Sequence, residues 1–137
     1  MAQTANNDAN YKQGELIAYP VKANTRIFKG ALCCVDATGY TVEGGDTVGH
    51  IFIGNADEEV DNTGGTNGAK VVRIRKRGTF QKQMAGAAIT ALGQTAMIVD
   101  GDTVALAATT TNDIACGKIC EIVDASTVRV RIDNQVN

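Results

Sequence analysis

The side chains of this sequence that could carry out chemistry are four cysteines and a single histidine. Cys33 and Cys34 are adjacent, so in a strand their sulfurs point to opposite faces. Together with Cys116 and Cys120 they lack the two-residue spacing of common zinc motifs. His50 has no neighbouring serine, cysteine or carboxylate arrangement that indicates a catalytic triad. We therefore predict reduced thiols packed as small hydrophobic side chains, no metal site, no cofactor and no catalytic residue.

The stretch that organises the sequence is residues 60–80, where a polar loop leads into a basic strand. Three glycines and two asparagines fall within residues 62–68 and favour turns, because both residue types accept positive φ. The residues that follow alternate, with Val72, Ile74 and Phe80 on one side and Arg73, Arg75 and Arg77 on the other. This pattern predicts a long exposed loop and one continuous strand with a buried face and a basic face. It favours binding rather than catalysis.

A group of acidic residues precedes this loop. Asp57, Glu58 and Glu59 end an apolar segment, and they could pair with the basic face or meet a basic partner. We prefer a solvated or locally paired surface, in which each exposed ion pair is worth about 0–1 kcal/mol. The acids lack the ligand order of a calcium loop. A further hypothesis is that they pair with residues 73–77 of a neighbouring protomer.

The rest of the chain reads as many short strands separated by turn signals. Residues 1–12 are polar and without period, which predicts a flexible N-terminal arm, and residues 13–137 read as a single β-rich domain. One short helix is expected within residues 84–92. Three hairpins are expected, with turns at residues 36–39, 100–102 and 124–126. The fold class is therefore mainly β, a small β-barrel or β-sandwich.

The charge and the apolar content of the sequence disfavour nucleic acid and membranes as partners. A net charge of -2 and a pI near 5.3 give no bulk attraction to nucleic acid or to a membrane. No apolar run approaches the ~20 residues that span a bilayer. The N-terminal sequence lacks the basic and apolar regions of a signal peptide, so we expect synthesis in the cytoplasm.

From about residue 16 onward the sequence resembles the capsid cement (decoration) proteins of tailed phages. The similarity spans about 115 residues in the same order, although each motif alone is generic. It is carried by PVKANTRIFKGA at 20–31, VDATGY at 35–40, DNTGG at 61–65, VRIRKRGTF at 72–80, VDGDTV at 99–104 and CGKI at 116–119. The resemblance implies a structural virion protein that assembles, often as a homotrimer, on the outside of the icosahedral shell. There it clamps neighbouring major capsid proteins together, with no catalytic residues.

Such a role needs many modest contacts, and three regions are predicted to supply them. The first is the arm through Tyr11 and Lys12, of which the part before Tyr11 lies outside the resemblance. The second is the loop, through Asp61, Asn62, Thr63, Gly64, Gly65 and Asn67. The third is the basic face of Arg73, Arg75 and Arg77. The predicted partners are the major capsid protein and other copies of the chain.

Two other functions remain as alternatives. A carbohydrate- or surface-binding β module displayed on a virion would normally carry an aromatic platform, but this chain has no Trp, three Tyr and three Phe. A small β-barrel hydrolase would require His50 or a cysteine to be indispensable.

Overall fold

The computed structural model describes residues 1–6, 9 and 12–133, which form two five-stranded antiparallel sheets and a two-stranded ribbon. The first sheet contains β1 (Leu16–Pro20), β3 (Leu32–Val35), β4 (Thr41–Glu43), β5 (Ile51–Ala56) and β7 (Val71–Arg75), and the ribbon pairs β2 (Arg26–Ile27) with β6 (Val60–Asp61). The second sheet contains β8 (Gly78–Gln83), β9 (Thr95–Ile98), β10 (Val104–Ala105), β11 (Ala115–Asp124) and β12 (Thr127–Ile132). The prediction of a mainly β fold is confirmed.

The two sheets repeat one topology. The strand order of the first is β1-β7-β5-β3-β4, and that of the second is β8-β12-β11-β9-β10. Each sheet curls, so that a parallel bridge joins its outer strands. The bridge lies between Val21 and Thr41 in the first sheet and between Gln83 and Thr103 in the second. We call residues 15–76 the first half and residues 78–132 the second half. Each half is thus a curled five-stranded sheet, and the two halves pack in a sandwich-like arrangement.

The register of the strands is also repeated. Tyr19 lies opposite Val72 in the first half, and Lys82 lies opposite Val128 in the second. Two backbone bonds recur, from Gly30 N–H to Ala56 O (2.9 Å) and Ala56 N–H to Ala31 O (2.8 Å), and from Gly93 N–H to Ile119 O (2.8 Å) and Ile119 N–H to Gln94 O (3.0 Å). We treat such residues as counterparts.

A glycine at a β-bulge is the most demanding feature that the halves share. Gly54 has φ 138° and Gly117 has φ 157°, and the strand register shifts at both positions. A Cβ at Gly54 would lie 2.5 Å from the carbonyl oxygen of Arg75, and one at Gly117 would lie 2.1 Å from that of Arg131. Only glycine allows the bulged strand to approach its neighbour this closely.

Two hydrophobic clusters hold the fold together, and Cys33 and Cys34 divide between them. Cys33 points into the cluster inside the first half, with Val72 and Ile74. Cys34 points to the opposite face and belongs to the larger cluster, which includes the buried residues of the second half. The prediction that the adjacent thiols face opposite ways is confirmed.

The predicted strand through residues 72–80 is wrong in one respect, because the chain leaves the first sheet after Arg75 and enters the second at Gly78. Gly78 has φ 127°, a conformation that favours glycine and lets the chain turn between sheets. Phe80 therefore packs in the second half rather than beside Val72.

Helix is limited to short 3₁₀ turns at the described positions. The helix expected within residues 84–92 is a 3₁₀ turn at Ile89–Ala91, and a second turn at Ala107–Thr109 was not predicted. The three predicted hairpins are present, joining β3 to β4, β9 to β10 and β11 to β12.

Candidate interaction surface

The loop between β6 and β7 is exposed along most of its length and is held by an internal asparagine. Asn62 is only 1% exposed, and its Nδ2 donates to the carbonyl oxygens of Lys22 (2.9 Å) and Thr66 (3.0 Å). Its backbone N–H donates to the carbonyl of Thr25 at 2.9 Å. The side chain therefore fixes the loop from inside and cannot itself be a contact residue, which corrects its place among the predicted contacts.

The rest of the loop is fastened to the segment that follows β1. Asn67 Oδ1 accepts from the N–H of Ala23 (2.8 Å), and Asn24 Oδ1 accepts from the N–H of Gly64 (3.0 Å). Asp61 turns the chain locally, since its carboxylate accepts from the Thr63 N–H at 3.0 Å. These bonds give the exposed backbone one conformation, so binding through it would cost little further ordering. Asn24 takes part in this anchoring through its side chain and was not identified from the sequence.

The basic face lies beside acidic residues of the same chain. Arg73 contacts Glu58, with 3.1 Å between guanidinium and carboxylate, and Arg75 contacts Asp57 at 2.7 Å. The contact arises because the turn after β5 brings these acids alongside β7, where the backbone N–H of Asp57 also donates to the Arg73 carbonyl at 2.9 Å. The hydrogen bond from Arg75 lowers the pKa of Asp57, and the one from Arg73 lowers the pKa of Glu58.

Two more ion pairs extend this row. Arg77 contacts Glu15 at 3.3 Å, and Arg26 of β2 contacts Glu59 through its Nε at 2.9 Å. All three acids of the cluster therefore have an arginine partner within the chain, as expected for a locally paired surface, and their pairing with a neighbouring protomer stays a prediction. The surface is a row of compensated charges and not a strongly basic face.

The remaining predicted contact residues lie at the N-terminus. Lys12 is exposed, just before the exposed residues that lead into β1. Tyr11 lies outside the described residues. The arm's contribution to binding therefore stays a prediction.

The potentially reactive side chains are mostly buried. Burial raises the pKa of Cys33 and of Cys116 to about 12 and that of Cys34 to about 11, so these thiols stay protonated. Cys120 is exposed, and the part of the chain that the structure describes contains no disulfide at any of these positions. Among the described residues no three His, Cys, Asp or Glu side chains come together as metal ligands.

The surface therefore offers an ordered polar loop next to a row of paired charges. None of the helices in the described part of the chain is long and apolar enough to cross a membrane. Comparison with known protein families, with curated proteins and with solved structures finds no match to this chain.

Proposed function

We propose that this protein is a capsid cement protein, which binds the outer surface of an icosahedral phage head and bridges neighbouring major capsid proteins. The observation that carries the proposal is the sequence resemblance, which runs through most of the chain in one order. The structural features described above support it, because a cement protein needs contact area and rigidity but no reactive groups.

The loop of residues 61–70 is the favoured contact with the shell. Thr63, Gly64, Thr66, Asn67 and Lys70 are all exposed, while Asn62 holds the loop from below. A preorganised loop loses little conformational entropy when it binds. Many copies on one shell would add up individually weak contacts.

The compensated charges beside the loop suit the same role. Exposed pairs such as Arg73 with Glu58 contribute little to stability, but they present alternating donors and acceptors to a partner. Charged residues at the rim of an interface chiefly affect specificity and association rate. Attachment is therefore expected to weaken with added salt without being abolished.

The test is cosedimentation of the purified protein with mature heads that lack it, followed by heating of the heads. The proposal expects saturation at a fixed ratio to the major capsid protein and a higher disruption temperature. Thr66→Arg adds bulk at the exposed loop and should weaken binding by about tenfold or more. Ala125→Arg, at the exposed turn between β11 and β12, is the matched control and should bind as the wild type does.

No binding to expanded heads would reject the cement function and redirect attention to glycans or other surfaces. Normal binding of Thr66→Arg with a raised disruption temperature would retain the function but reject the loop as the contact.

A further inference from the structure

The two halves pack through unlike surfaces, one from each half. From the first half comes the outward face of β3 and β5, where Leu32 and Cys34 are 0% exposed and Phe52 is 2% exposed. These three residues belong to the same hydrophobic cluster as the second-half residues Ile98 and Val104. We call this first-half surface the covered face. The packing is therefore head-to-tail and not symmetric.

Polar contacts mark the surface of the second half that receives the covered face. The N–H of Leu32 donates to the Gly101 carbonyl at 2.7 Å, and the N–H of Gly101 donates to Glu43 at 3.1 Å. The Asp46 carboxylate accepts from the N–H groups of Thr111 (2.8 Å) and Asn112 (2.7 Å). We call this region of the second half, around the β9–β10 turn and residues 111–112, the receiving end.

Buried Lys82 belongs to the same junction. It is 2% exposed, and its Nζ donates to the carbonyl oxygens of Gly30 in the first half and Gly101 in the second. A buried ammonium is retained when backbone acceptors satisfy it, so this contact fixes how the halves meet.

The counterpart of the covered face exists in the second half but lies open. The strand register makes Thr95, Met97 and Ala115 the counterparts of Leu32, Cys34 and Phe52. Thr95 and Met97 are half-buried and Ala115 is exposed. Thr95 and Ala115 line a groove of about 450 Å³, together with Cys116, Gly117, Lys118, Arg131 and Asp133. On this open face Lys118 Nζ donates to Thr95 Oγ1 at 2.6 Å, and Ala115 remains exposed.

The counterpart of the receiving end in the first half is open at Val48, the counterpart of Thr111. It also contains Tyr19, the half-buried counterpart of Lys82, whose hydroxyl accepts from Lys76 Nζ at 2.8 Å. Val48 is 81% exposed, which is unusual for a β-branched apolar side chain. On the open face of the second half, Leu106 occupies the position that Glu43 occupies in the first half. At these two positions the open surfaces carry apolar side chains where the junction inside the chain carries Glu43 and Thr111.

We infer that copies of this chain associate head-to-tail, the open face of one second half binding the open end of the next first half. The contact would repeat between molecules the junction that already joins the halves within each molecule. A heterologous contact of this kind leaves unsatisfied surfaces until the assembly closes as a ring. The inference specifies the association with other copies that the sequence resemblance implies, and it rests on the proposed function for its biological purpose.

Sedimentation of the free protein tests the inference without phage heads, so its failure is distinguishable from failure of the cement function. The wild type should form a closed species larger than a dimer. Ala115→Arg blocks the open face and Val48→Arg blocks the open end, so each variant alone should be monomeric. Ala125→Arg is the matched control and should keep the wild-type mass.

The decisive sample is an equal mixture of the two blocked variants. Each retains the surface that the other lacks, so the mixture should form a one-to-one heterodimer and nothing larger. A symmetric interface would not produce that result. The inference is overturned by a wild-type monomer at every concentration, by wild-type mass in both blocked variants, or by no heterodimer in the mixture. A wild-type monomer that associates after removal of residues 134–137 would instead mean that the chain's own C-terminus occupies the groove.

Discussion

In the first half, residues 57–70 connect β5 to β7 and build the ribbon strand β6, the glycine-rich loop and the acidic partners of the arginines. In the second half the corresponding connection is a tight turn at residues 125 and 126, between β11 and β12. The strands on either side of the two connections match. The ion pair of Arg73 with Glu58 also recurs, since Arg129 contacts Glu121 at 3.0 Å in the second half. The comparison teaches that a common framework can carry a long, elaborated connection in one half and a tight turn in the other. Lengthening a surface connection is inexpensive because loop-closure entropy grows slowly with length.

The strongest way to break this comparison is to remove the bulge glycines. Gly54→Ala would place a Cβ 2.5 Å from a backbone carbonyl oxygen, and Gly117→Ala would place one 2.1 Å from another. Both positions also have a conformation that favours glycine. We expect each change to lower the free energy of unfolding by about 3 kcal/mol or more, measured by urea denaturation. Gly86→Ala is the control, because its φ of 65° is also positive but its Cβ would meet open space. It should cost about 1 kcal/mol. A loss no larger than the control's at either bulge would show that the two glycines do not play the same part.

A smaller effect is expected on the pH dependence of stability, because the first half buries two thiols and the second half buries one. Burial raises the pKa of Cys33, Cys34 and Cys116 to between about 11 and about 12, whereas an unfolded thiol ionises near pH ~8.5. Above that pH the unfolded chain loses protons that the folded chain keeps, so stability should fall as pH rises. Each thiol contributes at most ~1.4 kcal/mol per pH unit.

Denaturation under reducing conditions between about pH 8 and about pH 10 measures this slope. Cys33→Ala and Cys116→Ala should each make it shallower, while Cys120→Ala, at an exposed position, should leave it unchanged. Equal slopes in all three variants would contradict an origin in the buried thiols.

The smallest effect is expected from the repeated ion pair. Arg73→Gln and Arg129→Gln should each lower the melting temperature slightly and by similar amounts, and added salt should shrink the difference. The bond from Arg73 lowers the pKa of Glu58, so its stabilisation is present above the ordinary pKa of a glutamate and lost as pH falls through the lowered value. The pKa of Glu58 followed by NMR should rise in Arg73→Gln. Lys12→Gln, at an exposed position, is the control and should leave it unchanged.

The local elements were largely predictable from the sequence, while the relation between the halves was not. Turn residues and two-residue alternation predicted the hairpins, because these signals act between residues close in the chain. The repeat leaves little trace in residue identity. Aligned without a gap, residues 28–56 and 91–119 share only four identical pairs, Gly30 with Gly93, Thr47 with Thr110, Ile51 with Ile114 and Gly54 with Gly117. The repeated fold requires glycine where a bulge demands it, at Gly54 and Gly117, and leaves most other positions free to differ.

The candidate surface shows the same division. The sequence predicted an exposed loop and arginines that alternate with buried residues, and both are present. It did not reveal that Asn62 is buried under the loop, or that Glu15 and Asn24 take part, because their contacts join segments far apart in the chain. The two-residue alternation also led to the incorrect prediction of one strand through to Phe80. The alternation continues across the turn at Gly78 and therefore does not indicate a change of sheet.

By itself the sequence determined the class of fold, the positions of most turns and the alternation of buried and exposed residues, all of which follow from backbone preference and short-range periodicity. Only the tertiary structure decided which strands are neighbours, which carboxylate pairs with which arginine, and which of two equivalent faces is covered. Those outcomes depend on contacts between distant segments, and solvent exclusion at such contacts is not written in any local pattern.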